Sequence, residues 1–182
     1  MSEKFRGKYR TMSHRLKNFD YASDSAYFIT IVTQNREHFF GKIVNNQMIL
    51  NELGRIVEKF WKEIPRHFSY VNLDEFVIMP NHMHGILRID KSTVSSNAMI
   101  KKKPRNKNHK PEWKPGTIGV VINQFKRICT IKSREIFPDF AWQRNYYDRI
   151  IRNDDELNRI RKYIIDNPKM CDRDRNNQGL WL

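Results

Sequence analysis

Cysteine is scarce: only Cys129 and Cys171 occur, far apart and in no CxxC spacing, which removes a disulfide framework and a zinc knuckle. Both are expected to be reduced packing residues. No apolar run approaches the roughly 20 residues that span a bilayer, so a helical membrane protein is excluded. There is no GxxxxGK[ST] loop to cradle a nucleoside triphosphate and no HExxH pair for a hydrolytic zinc site. No internal repeat is present either, and 182 residues suit a single domain.

Acidic residues are outnumbered: 34 Lys and Arg stand against 20 Asp and Glu, giving a formal charge of +14 and a pI near 9.9. A field of that sign points to a polyanionic partner, and nucleic acid is favoured over a membrane surface because the basic residues run through foldable sequence. The first residues are charged and lead into no apolar segment, so no secretory signal is expected and a cytoplasmic location is. Residues 1–25 are expected to form a basic arm, 26–170 the domain and 171–182 a tail.

Residues 26–33, AYFITIVT, are aromatic and β-branched and predict a central strand. Two short apolar stretches, 39–44 and 47–50, flank Asn45-Asn46 as a small hairpin, and Asn51 is placed to cap a helix. Leu53, Ile56, Val57, Phe60, Trp61 and Ile64 follow at three- and four-residue steps, an amphipathic helix that Pro65 is expected to end. A second hairpin is predicted from strands 72–79 and 82–90 around Pro80-Asn81. Residues 92–115 form a proline-interrupted basic loop with almost nothing to bury; its Lys101, Lys102, Lys103, Arg105 and Lys107 suit phosphate gripping. Residues 117–136 resume helical spacing, with Lys126, Arg127 and Lys132 expected at the surface. A strand lies within 140–152, where Trp142, Arg144, Tyr147 and Arg149 mix aromatic faces with charge. Asn153 and Glu156 open a last helix as a capping box, striped by Leu157, Ile160 and Ile164 and closed by Pro168. This order is the split βαβ arrangement of an α+β, ferredoxin-like antiparallel sheet, with two helices on one face and the other face left for the last helix.

The chain is organised around residues 79–87, MPNHMHGIL. His82 and His84 alternate with Met83, so on a strand both imidazoles share one face and could reach a single cation. Spacing alone is a weak signal that favours half-exposed packing histidines over a metal pair, and any third ligand must come from elsewhere. Tyr163 and Asn167 stand four apart on the last helix and therefore share a face. By themselves they read as a tyrosine bordering the core and a helix-ending amide.

Together the two segments resemble a known family. His82-Met83-His84 resembles the HUH motif, and the segment 163–168, YIIDNP, looks like the terminal helix of single-tyrosine HUH transposases. Within that superfamily the chain is most similar to the REP-associated tyrosine transposases of bacteria. Further likeness lies in 19–21 leading into 27–30, in the strand pair 77–84, in 142–144 and in 147–153, so it spans about 15–167 and is weakest in 92–115 and past 169.

The resemblance implies that His82, His84 and Asn167 ligate a divalent metal, Mg²⁺ or Mn²⁺, and that Tyr163 is the nucleophile. It implies a transposase that cleaves and rejoins single-stranded DNA hairpins through a 5′-phosphotyrosine, leaving a free 3′-hydroxyl. Tyr146 and Tyr147 are rival nucleophiles that lack an asparagine one turn on. Basic and aromatic residues, Lys126, Arg127, Trp142, Arg144, Tyr147 and Arg149 with the 101–107 cations, are expected to grip backbone and stack bases. Two alternatives remain: a non-catalytic nucleic-acid-binding module on the same fold, and a metal-dependent nuclease using activated water. A monomer and a homodimer are both compatible with the family.

Overall fold

The computed structural model describes residues 4–5, 8–9, 20–21, 23–92 and 116–173. A two-residue pair, β1 (Lys4–Phe5) and β2 (Lys8–Tyr9), precedes β3 (Ser25–Val32). The chain continues through β4 (Gly41–Val44), β5 (Gln47–Leu50), α1 (Glu52–His67), β6 (Val71–Met79), β7 (His82–Ile89), α2 (Ile118–Arg134), β8 (Tyr147–Ile151) and α3 (Asp154–Asp166). A 3₁₀ turn follows over Asn167–Arg173.

The main sheet has the order β6-β7-β3-β8, with every neighbouring pair antiparallel. The hairpin thus lies beside the first long strand and the last strand closes the other edge, which is the expected ferredoxin-like topology. Period-two alternation divides the sheet into two cores. Tyr27, Ile29 and Ile31 of β3 and Met83, Leu87 and Ile89 of β7 pack with Leu53, Val57, Trp61 and Ile64 of α1 and Val121, Ile122, Phe125 and Cys129 of α2. On the opposite face Phe28, Val77, Ile86 and Ile151 pack with Leu157, Ile160 and Ile164 of α3. Met83 and the two histidines therefore face different layers.

Local chemistry sets the element ends. Asn45 and Asn46 both adopt positive φ, 49° and 62°, as a two-residue hairpin turn between right-twisted strands requires. Asn51 Oδ1 accepts from the Gly54 amide at 3.0 Å and caps α1. Helix α1 does not stop at Pro65 but runs on to His67. A proline in the last turn forfeits one backbone hydrogen bond, and the Phe68 amide still reaches the Ile64 carbonyl at 3.0 Å while Ile64 is held in the core. At the start of α3, Asn153 Oδ1 accepts from the Glu156 amide at 2.8 Å, and Glu156 Oε2 accepts from the Arg152 amide at 3.0 Å. The expected capping box forms, its return bond falling one residue earlier than usual.

Cys129 is a buried thiol of the core, and burial pushes its pKa well up. Among the described residues no helix is long and apolar enough to cross a membrane.

Candidate active site

The site sits where β7 begins, on the sheet face covered by α3. The turn before it is buried, which is unusual for a hairpin tip. Asn81 is 1% exposed, and its carbonyl accepts from both the amide and the hydroxyl of Thr33, at 2.9 and 2.8 Å. The Phe40 amide bonds the Pro80 carbonyl at 3.0 Å. These bonds replace the water that would satisfy an exposed turn and fix the height at which β7 starts.

His82 and His84 are 0% and 2% exposed, and their rings lie side by side with centroids 4.7 Å apart. The Nδ1 edge of each ring has a neutral partner: Asn81 Oδ1 lies 2.7 Å from His82 Nδ1, and Thr30 Oγ1 lies 2.8 Å from His84 Nδ1. Thr30 is the direct cross-strand neighbour of His84 on β3. On the other side of His84, the Tyr163 hydroxyl lies 3.2 Å from Nε2. The Tyr163 ring meets the edge of His84 at 5.2 Å and Phe28 at 6.0 Å, while Phe28 stacks on His84 at 5.3 Å. Tyr163 itself is 43% exposed, so its oxygen reaches buried His84 while part of the side chain stays open to solvent.

Asn167, one turn beyond Tyr163, is buried and keeps helical dihedrals (φ −55°, ψ −43°) although Pro168 follows. The chain absorbs the proline by tightening into the 3₁₀ turn. Among the described residues no cluster of three or more His, Cys, Asp or Glu forms. Two imidazoles and an amide oxygen are a chemically adequate donor set for a divalent ion that keeps further positions open.

Two ion pairs orient α3. Arg161 Nε and one terminal guanidinium nitrogen bind the two oxygens of Asp74 on β6, at 2.8 and 2.6 Å. The Arg161 hydrogen bonds hold the Asp74 carboxyl below its usual range. At the helix start, Arg149 on β8 approaches Glu156 at 2.6 Å. Glu156 is also held low, first by the Arg152 amide and then by the arginine charges. Sequence reasoning did not find Asn81, Thr30, Asp74 or Arg161 as contributors. Only Asn81 carried a signal, as the polar residue adjoining the first histidine.

No family model matches the chain. An uncharacterized protein of Haemophilus influenzae is 41% identical over 172 residues, spanning 93% of this chain and 94% of its own length. The chain belongs to the same family as that protein. The solved structure of a REP-associated tyrosine transposase bound to a REP hairpin matches with a TM-score of 0.54 at 17% identity, over 87% of this chain and 73% of that one. The two share a fold.

The remaining residues expected to touch DNA fall into different places. Lys101, Lys102, Lys103, Arg105 and Lys107 lie outside the described residues. Tyr147 and Arg149 stand on β8 on the same face as α3, in a cleft of about 460 Å³ shared with Arg152 and Arg159. Arg127 and Arg144 are exposed in a shallower groove of about 310 Å³ beside α2, which covers the other sheet face.

Two expectations are corrected. Lys126 is not at the surface: it is 9% exposed, and its ammonium donates to the carbonyls of Gln143, Arg144 and Asn145 at 2.6, 3.3 and 3.3 Å. Trp142 is a core residue, 8% exposed and packed among Phe40, Phe125 and Phe140, so its ring faces are not open to a base. Both invert for one reason: the segment 141–143 runs beside the end of β3, through the Gln34 amide to the Ala141 carbonyl and the Gln143 amide to the Val32 carbonyl, each at 2.8 Å. That pairing turns Trp142 inward and brings the next carbonyls over Lys126.

Proposed function

We propose that this protein is a DNA transposase of the HUH single-tyrosine type, which cleaves and rejoins single-stranded DNA hairpins through Tyr163. The observation that carries the reading is the approach of the Tyr163 hydroxyl to His84 Nε2 at 3.2 Å, with His82 packed against the same ring. A phenol from one helix meets a histidine 79 residues earlier in the chain, beside which the second histidine packs. The shared fold with a transposase that binds a REP hairpin supports the substrate class, as does the net charge of +14.

His82, His84 and Asn167 would hold a divalent ion, Mg²⁺ or Mn²⁺, which supplies charge withdrawal from the scissile phosphate. Two nitrogen donors make the set better suited to Mn²⁺ than to Mg²⁺, which favours oxygen. The Tyr163 oxygen attacks phosphorus in line and the 3′ oxygen of the preceding nucleotide leaves. The phenol gives up its proton, the departing oxygen ends as a 3′-hydroxyl, and the 5′ phosphate stays on Tyr163. One phosphodiester replaces another, so a different 3′-hydroxyl can reverse the step without ATP. Phe28 fixes the tyrosine ring edge-on, and the Asp74–Arg161 pair fixes the helix that carries it, which limits the orientation entropy lost on reaching the attack geometry.

The test is a hairpin oligonucleotide with an unpaired flank, incubated with Mn²⁺ and resolved under denaturing conditions. A covalent protein–DNA band is expected for the wild type and none for Tyr163→Phe, with hairpin affinity within about twofold of wild type because the ring is kept. An adduct that persists in Tyr163→Phe would transfer the role to another tyrosine. Cleavage without any adduct would favour a water nucleophile, and binding without cleavage a non-catalytic module.

A further inference from the structure

Both histidines are held from behind by groups to which no role is assigned. Asn81 orients its amide unambiguously: Nδ2 donates to the Arg36 carbonyl at 3.2 Å, so the atom 2.7 Å from His82 Nδ1 is the accepting oxygen Oδ1. An amide oxygen can only accept, and His82 must therefore carry a hydrogen on Nδ1. In the neutral ring this leaves the lone pair on Nε2.

His84 has hydroxyl groups at both nitrogens, Thr30 at Nδ1 and Tyr163 at Nε2. A phenol is the stronger donor and an aliphatic hydroxyl the better acceptor. Tyr163 accordingly donates to Nε2, while Nδ1–H donates to Thr30 Oγ1. The two rings then share one tautomer, with the lone pair of each on Nε2; at His84 that lone pair accepts from Tyr163, a bond that a cation would replace. This is the arrangement by which outer groups prepare imidazoles for a metal.

We propose that Asn81 and Thr30 are positioning residues, which fix His82 and His84 as Nδ1–H tautomers and so direct both Nε2 atoms to one divalent cation. The assignment rests on the metal-dependent reading given above. Asn81 is 1% and Thr30 6% exposed, and each acts through the ring beside it. The buried turn gains a purpose in this account: the Asn81 carbonyl, held twice by Thr33, sets the position from which the amide grips His82.

The experiment uses the full chain labelled with ¹⁵N-histidine. Long-range ¹H–¹⁵N correlations of the metal-free protein at pH 8 report the ring tautomers, and calorimetric titration with Mn²⁺ reports affinity. The wild type is expected to show Nδ1–H on both rings. Asn81→Leu releases His82 from that tautomer and weakens Mn²⁺ about 10–100-fold, the usual cost of losing such a partner; Asn81→Asp, which keeps the acceptor but not the bond to the Arg36 carbonyl, restores the tautomer. Thr30→Val acts likewise on His84, and Thr30→Ser restores it. Nε2–H rings in the wild type overturn the assignment without any variant having to fold. Mn²⁺ binding that is unchanged in Asn81→Leu and Thr30→Val overturns the positioning role and leaves the metal reading standing. A wild type that binds no Mn²⁺ overturns both.

Discussion

Lys126 shows how far one side chain can depart from what its type suggests. As a lysine it is expected at the surface, yet it stands in line with Ile122 and Cys129 on the buried side of α2, and its ammonium spans three consecutive carbonyls. Burial lowers its pKa to about 8. Truncation to Lys126→Met keeps the apolar stem but leaves those acceptors without their donor, a loss of about 1–3 kcal/mol in urea unfolding. The pH dependence has a definite sign. The ordinary lysine value is 10.5 and the folded value lies below it, so between about pH 8 and 10.5 the unfolded chain binds more protons and stability rises with pH. The stability gap between wild type and Lys126→Met is therefore expected to widen from pH 8 to pH 9.5. A gap that stays level or narrows would contradict the burial of a charged amine.

At the scale of elements, α3 decides whether Tyr163 meets His84 at all. Its apolar stripe seats it on the sheet, but a stripe of three residues tolerates sliding. The two-point Arg161–Asp74 contact, with Asp74 15% exposed, gives the helix its register. Asp74→Asn is expected to lower stability modestly, because the arginine of the pair is exposed and solvent screens the interaction. Adduct formation should slow while hairpin affinity holds, since Asp74 only steers the helix. The Asp74 carboxyl is depressed in the fold, so its contribution is present above the ordinary carboxylate range and disappears as pH falls through the lowered value. Unfolding of wild type and Asp74→Asn should thus converge in acid, and curves that stay parallel from pH 7 to pH 3 would remove the pair from the account.

The same helix marks what a sequence can disclose. Its cap and its Leu157, Ile160 and Ile164 stripe are local patterns, visible in the order of residues. So is the pair of asparagines that must take positive φ between β4 and β5. The partner of Arg161 lies 87 residues earlier, and no periodicity connects them. Trp142 and Lys126 were open to misreading because tryptophan and lysine serve surface and interior alike, and only the pairing of 141–143 with the end of β3 decides between them. The histidines and Tyr163 could be paired through family likeness; Asn81 and Thr30 needed coordinates, because their role is to hold a ring and not to display a motif.

For the whole molecule the question is where the surplus positive charge is available to DNA. Some cations are held within the fold, Arg161 by Asp74, Arg149 by Glu156, Lys62 by Glu58, Lys132 by Glu135 and Lys126 by carbonyls; the excess of 34 basic over 20 acidic residues leaves others to meet a polyanion. Arg152 and Arg159 line the cleft beside β8, Arg127 and Arg144 the groove beside α2, and five further cations stand in the sequence at 101–107. Binding through phosphates releases counterions, so the logarithm of hairpin affinity should fall linearly with the logarithm of salt, with a slope of about −0.9 per duplex phosphate neutralised and about −0.7 per single-strand phosphate. Neutralising Lys101, Lys102, Lys103, Arg105 and Lys107 together to glutamine should make that slope shallower by about 3 if most of them grip phosphate, and should weaken all hairpins alike, because phosphate contacts carry no sequence information. Anisotropy titrations from 50 to 300 mM salt would measure both effects. An unchanged slope would free the 101–107 segment from any part in binding and assign the polyanion surface to the two arginine-lined grooves.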